Sequence, residues 1–157
     1  MMGRTLSLAV DRRGNSVVEL GFLAPIFATF VVGMADISRA VAERLRLEQA
    51  AQRSIERVMQ GQESSSTFAN LAADAAAGAG VPVGNVTVTP RLECDGTTVA
   101  TGAAYYTANC TAGQTKAGYV RVVVTKNFAP MFGTRFFPGA NANGTFTLTG
   151  RAGIRIK

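Results

Sequence analysis

The chain has no histidine and no tryptophan, and only two of its 157 residues are cysteines. Without histidine, the commonest general base and metal ligand is missing. Cys94 and Cys110 have no CxxC spacing, which argues against a zinc site or a redox pair. No Walker loop, GxGxxG fingerprint or GxSxG nucleophile turn occurs. Clustered charge is lacking as well. Lys and Arg number 16 against 10 acids, a net charge of +6, but the longest basic run is Arg12-Arg13. A nucleic-acid surface usually shows a basic stripe with interleaved aromatics, so a generally basic, solvated surface is the simpler reading. The expectation is a protein that is not an enzyme, with no cofactor, no metal and no nucleic-acid partner. Its length fits one domain plus an appendage.

What the chain does have is one long apolar run. From Leu20 to Ala35 it reads LGFLAPIFATFVVGMA, sixteen residues without a charge. Val17 and Val18 extend this to nineteen positions, with Glu19 the one ionisable residue among them. A spanning helix needs about 20 apolar residues, whereas a secretory signal core has roughly 7–15. Arg4, Arg12 and Arg13 precede the run and favour an amino terminus on the cytoplasmic side. A disulfide between Cys94 and Cys110 would place the distal part in an oxidising compartment.

Glu19 is the anomaly. A carboxylate in a bilayer interior costs at least a few kcal/mol and is functional by default; alternatively, Glu19 sits at the interface and reaches water. Its context favours function. In "RRGNSVVELGF", Glu19 lies five positions after Gly14, at the threshold of the apolar helix. Cleavage between Gly14 and Asn15 would release a short basic leader and make Glu19 the fifth residue of the remaining chain.

This spacing resembles the type IV prepilin signal, which a membrane peptidase cuts on the cytoplasmic side. The longer pattern, with Arg12-Arg13-Gly14, Val18-Glu19, Pro25, Gly33, Asp36 and Arg39 ahead of an Ala- and Arg-rich helix, resembles the TadE-like minor pilins or pseudopilins of the tight-adherence (Flp-type) pilus. The resemblance covers roughly Arg12 to Ser54. Leu20 stands where such proteins usually carry an aromatic residue. The resemblance implies a leader over 1–14, a transmembrane helix over 15–37 and an inner-membrane location with the carboxy-terminal domain in the periplasm. It further implies that Glu19 pairs with a terminal amine, its own or a neighbour's. That pairing would satisfy both charges in a low dielectric and set the register of one helix against the next. Implied partners are a prepilin peptidase, other pilins and the inner-membrane assembly platform.

Pro25 removes the hydrogen bond to the Gly21 carbonyl and predicts a kink. Either the bilayer simply tolerates it or the bend helps helices bundle. Beyond the apolar run, Leu47, Ala50, Ala51, Ile55, Val58 and Met59 recur at helical spacing. The spacing predicts one helix from about Ser16 to Gln60, some 65 Å long at about 1.5 Å per residue, whose part over 38–62 lies outside the membrane. Arg39–Glu43 and Arg44–Glu48 are candidate one-turn ion pairs. A domain over 63–157 follows. In it, a short helix capped within Ser64–Thr67 puts Phe68, Leu71, Ala72 and Ala75 on one face, and Gly78 and Gly80 close it.

Alternating residues predict strands around Val86–Thr89, Val120–Val124 and Phe146–Ile156. Each has one apolar and one polar face, as expected of an antiparallel sheet covered on one side. The fold class is therefore α+β and pilin-like, a long helix packed on a small antiparallel sheet with a second short helix. Cys94 and Cys110 bracket a segment of about 15 residues, read as a staple on a hairpin worth up to ~3 kcal/mol. The segment NFAPMFGTRFFPG, with phenylalanines from Phe128 to Phe137, either folds into the core or touches a neighbour. N-x-T triplets at Asn85, Asn109 and Asn143 are attributed to threonine-rich strands.

Two other readings compete with the pilin. One is a bitopic, membrane-anchored binding module that keeps its leader as a signal anchor. The other is a secreted protein cut after Ala40-Val41-Ala42, which Asp36 and Arg39 would crowd.

Overall fold

A computed structural model of the chain describes residues 15–60, 65–131 and 139–156. Helix α1 spans Asn15–Gln60 and continues on both sides of Pro25. Helix α2 spans Ser65–Ala79. Four strands follow: β1 (Val86–Cys94), β2 (Thr97–Thr101), β3 (Lys116–Phe128) and β4 (Phe146–Arg155). They form one antiparallel sheet in the order β2-β1-β3-β4. The architecture is α+β, with both helices on one face of the sheet.

The outer half of α1 becomes amphipathic, and its apolar stripe meets the sheet. Leu47, Ala50, Ala51, Ile55 and Val58 are buried against Val120, Val122 and Val124 of β3 and Phe68, Leu71 and Ala75 of α2. Burying a side chain of leucine or valine size stabilises by about 1.5–3 kcal/mol, so this shared core is what holds the layers together. Met59 does not join it and remains 67% exposed. At about 100° per residue, it lies about 120° around the helix from Leu47. Ser54 occupies the centre of the stripe instead, its hydroxyl donating to the Ala51 carbonyl at 2.8 Å.

Two glycines decide how the layers meet. Gly80, at φ +65, terminates α2. The Val81 amide bonds the Ala76 carbonyl and the Gly80 amide that of Ala77, which together satisfy the last turn. Gly78 is the penultimate residue of α2, one position before the helix ends. Gly150 sits where β4 crosses α1, and any Cβ there would overlap the backbone of Leu47 and Glu48. The missing side chain lets helix and strand touch directly.

At the far end of β3, Cys94 and Cys110 are joined, with Cα atoms 5.6 Å apart. They staple a smaller core of Leu92, Cys94 and Ala100, against which Tyr105 packs. The staple does lie on a hairpin. Strand β2 was not anticipated, although Asp95-Gly96 at φ +50 and +79 forms the kind of turn that closes two-residue hairpins. Pro90 sits within β1 because pairing with β2 begins only at Arg91, so one side of β1 is open there.

Candidate functional site

The inner half of α1 is apolar on nearly every side, and among the described residues none of its side chains is buried. It is long and apolar enough to cross a membrane. Phe22, for instance, is 74% exposed. A helix apolar all round must be buried in something, and length and composition suit a bilayer. Glu19 opens this span and is itself exposed, and no ion pair reaches it among the described residues. The next carboxylate along the helix is Asp36. Seventeen steps at about 1.5 Å separate the two by about 26 Å, close to the thickness of a hydrocarbon core of about 30 Å.

Asp36 is only 4% exposed, and what buries it is the segment leaving β3. The Met131 amide donates to both carboxylate oxygens, at 3.0 and 2.8 Å, and Arg39 reaches Oδ1 at 3.3 Å. Arg39 also lies 5.5 Å from the Phe128 ring centre, a cation–π arrangement. One turn further on, Glu43 takes Lys126 of β3 at 3.0 Å. These contacts form a collar that ties the end of β3 to the helix where the bare span stops. They also replace the expected Arg39–Glu43 pair, since the buried Asp36 competes for Arg39 and Lys126 for Glu43. The expected Arg44–Glu48 pair forms at 3.2 Å.

Above the collar, α1 keeps a second apolar line. Ile37, Val41 and Leu45 follow at four-residue spacing and are all more than half exposed. They continue the bare face on the side of α1 turned away from the sheet. Charge patterning around them hid this line from sequence reasoning; their i, i+4 spacing was the available signal.

The sequence-predicted residues thus divide between two places. Asn15, Glu19 and Pro25 lie on the bare half of α1, while Cys94 and Cys110 are at the opposite end of the sheet from the collar. Gly14 and the proposed leader lie outside the described residues. In the phenylalanine-rich segment, Phe128 is buried, settling its place in the core, and Met131 is 70% exposed; residues 132–138 lie outside the described ones. The role of Asp36 as the collar's acceptor was not anticipated, because only the fold brings Met131 to it.

Residues 14–55 match the family model described as TadE-like protein. Over these residues the chain is similar to TadE-like proteins. The matched segment takes in the bare half of α1, the collar acids and most of the buried stripe, and it stops before α2 and the sheet. No curated protein and no solved structure matches the chain.

Proposed function

We propose that the protein is a minor pilin or pseudopilin of a tight-adherence (Flp-type IV) pilus, a structural subunit that carries no catalysis. The observation carrying this reading is the uncovered apolar half of α1 with its lone Glu19, inside the TadE-like segment. A prepilin peptidase cuts between Gly14 and Asn15, and the new amine faces a carboxylate four residues on. In a bilayer or a helix bundle that carboxylate needs a compact cationic partner, and a terminal ammonium on its own or a neighbouring subunit supplies it. The pair sets the axial register while the apolar helix faces, including Ile37, Val41 and Leu45, pack between subunits. Pro25 tolerates or supports the curvature this packing requires.

The chain is held in the inner membrane by the bare half of α1, with its sheet in the periplasm, where Cys94 and Cys110 oxidise. From there it enters or underlies the pilus through other pilins and the assembly platform.

The test is the amino terminus of the protein recovered from bacterial membranes, by intact mass and terminal sequencing. A chain beginning at Asn15 is the expected result. One beginning at Met1 or Met2 would overturn processing and leave a bitopic signal anchor displaying a binding module.

A further inference from the structure

The face of the sheet turned away from the helices carries a grid of arginines. Register places Arg91, Tyr119 and Arg155 in one cross-strand row, Thr89, Arg121 and Gly153 in the next, and Thr87, Val123 and Arg151 in the third. Arg121 is at the centre, with Arg91, Arg155 and Arg151 on its diagonals. Diagonal neighbours on one sheet face are about 7–8 Å apart, within reach of long side chains. The four arginines line one open trough of about 680 Å³.

Among the described residues, the acids nearby do not balance all four of them. Glu93 pairs with Arg91 at 2.9 Å, and Glu48, at the margin beside Arg151, is taken by Arg44. Among the described residues, neither Arg121 nor Arg151 has a carboxylate partner. Charges on edge strands often serve to block edge-to-edge pairing, and Arg151 on β4 could be read so. Arg121 cannot. It lies on β3, which is paired on both sides, where a charge protects no edge. Concentrating like charge there destabilises the free sheet unless an anion joins it.

The geometry points to a docking surface for an acidic protein segment, in which Arg121 and Arg151 take Asp or Glu carboxylates as bidentate partners. Three observations choose this occupant. The planar guanidinium fork suits a carboxylate as it suits a phosphate, and Gly153 leaves the middle of the trough open to an approaching chain. Arg91 already covers the ring of Tyr119, at 4.9 Å from its centre, so the one aromatic in the grid is not open for stacking on a base or sugar. Arg121 lies seven residues from Phe128 along β3, about 23 Å at 3.3 Å per residue, so the grid stands away from the collar where the bare helix begins. The inference concerns the distal sheet and does not depend on leader cleavage.

The test uses the full chain in detergent and a labelled decaglutamate peptide, followed by fluorescence anisotropy at low and moderate salt. The expected result is saturable binding that weakens with salt and drops at least tenfold in Arg121→Gln/Arg151→Gln. An equally charge-reduced control on the helix, Arg46→Gln/Arg53→Gln, which leaves the Arg44–Glu48 pair beside Arg151 intact, should bind within twofold of wild type. Equal losses in both double variants would mean diffuse charge attraction and overturn the site. Preference for a heparin oligosaccharide, or for phosphatidylglycerol mixed micelles, over decaglutamate would overturn the occupant. Should the double variant fail to fold by circular dichroism, Arg121→Lys keeps the charge and removes the fork. A severalfold loss of binding there supports the proposal, and unchanged binding sinks it.

Discussion

The two halves of α1 are continuous in backbone and opposite in circumstance. From Val17 to Ala35 the helix is apolar nearly all round and none of its residues is buried among the described ones; from Leu47 to Val58 it is apolar on one stripe, which is entirely buried. The difference follows from periodicity. A helix with polar residues on one side can satisfy water with that side and a sheet with the other. A helix without a polar side can satisfy only a surrounding that is apolar throughout, or other helices like itself. The same element is therefore a core component at one end and a contact surface at the other. The Asp36 collar is where the roles change.

That contrast can be broken from either end. The largest effect is expected for Glu19→Ala, which should abolish incorporation into assembled pili while the melting temperature of the distal domain stays within about 1 °C, since no residue of the buried stripe is touched. Normal pilus yield from that variant would remove Glu19 from the assembly account. On the packed half, Leu47→Ala should cost about 3 kcal/mol in urea unfolding of the detergent-solubilised protein, while Leu20→Ala should leave the same midpoint unmoved. Equal effects of the two leucines would erase the distinction between the halves.

Gly150→Ala sharpens the contrast, because it pushes α1 off β4 without altering the helix. Overpacking there should cost about 1–3 kcal/mol, and a neutral result would mean that the helix and strand need not touch. Asp36→Asn keeps the side chain's shape but weakens its charge-assisted bonds, a loss of about 1–2 kcal/mol in the same unfolding measurement. Local hydrogen exchange should rise at the Met131 amide if the collar opens. The smallest effect is expected for Lys126→Ala, about 0.5 kcal/mol or less, because its pair with Glu43 is partly exposed.

Most of the fold was legible because its periodicities are clean. The three-and-four spacing from Leu47 to Val58 marked the covered stripe, and the alternation in Val120–Val124 and Phe146–Ile154 marked strands and their inner faces. Strand β2 escaped because Thr97–Thr101 buries only Ala100, which leaves no alternation to read. The outer arginines were visible singly, scattered over residues 91 to 155, and none forms a run. Sheet register gathers them, and register depends on which strands pair, a long-range outcome that local pattern does not encode. The partners of Arg39 and Glu43 were misread for a similar reason. One-turn spacing offers a weak local pair, and the fold supplied stronger partners from β3 and from the buried Asp36.

By itself the sequence determined the length and bareness of the apolar helix, the single carboxylate at its start, the amphipathic switch past it and the α+β class. These are properties of neighbours along the chain, set by side-chain transfer free energies and the 3.6- and 2-residue periods. Only the tertiary structure decided that Asp36 takes the Met131 amide, that Gly150 lets a strand rest on the helix backbone, and that four distant arginines share one face. Each requires segments far apart in the chain to meet at defined distances, and packing geometry alone brings them there.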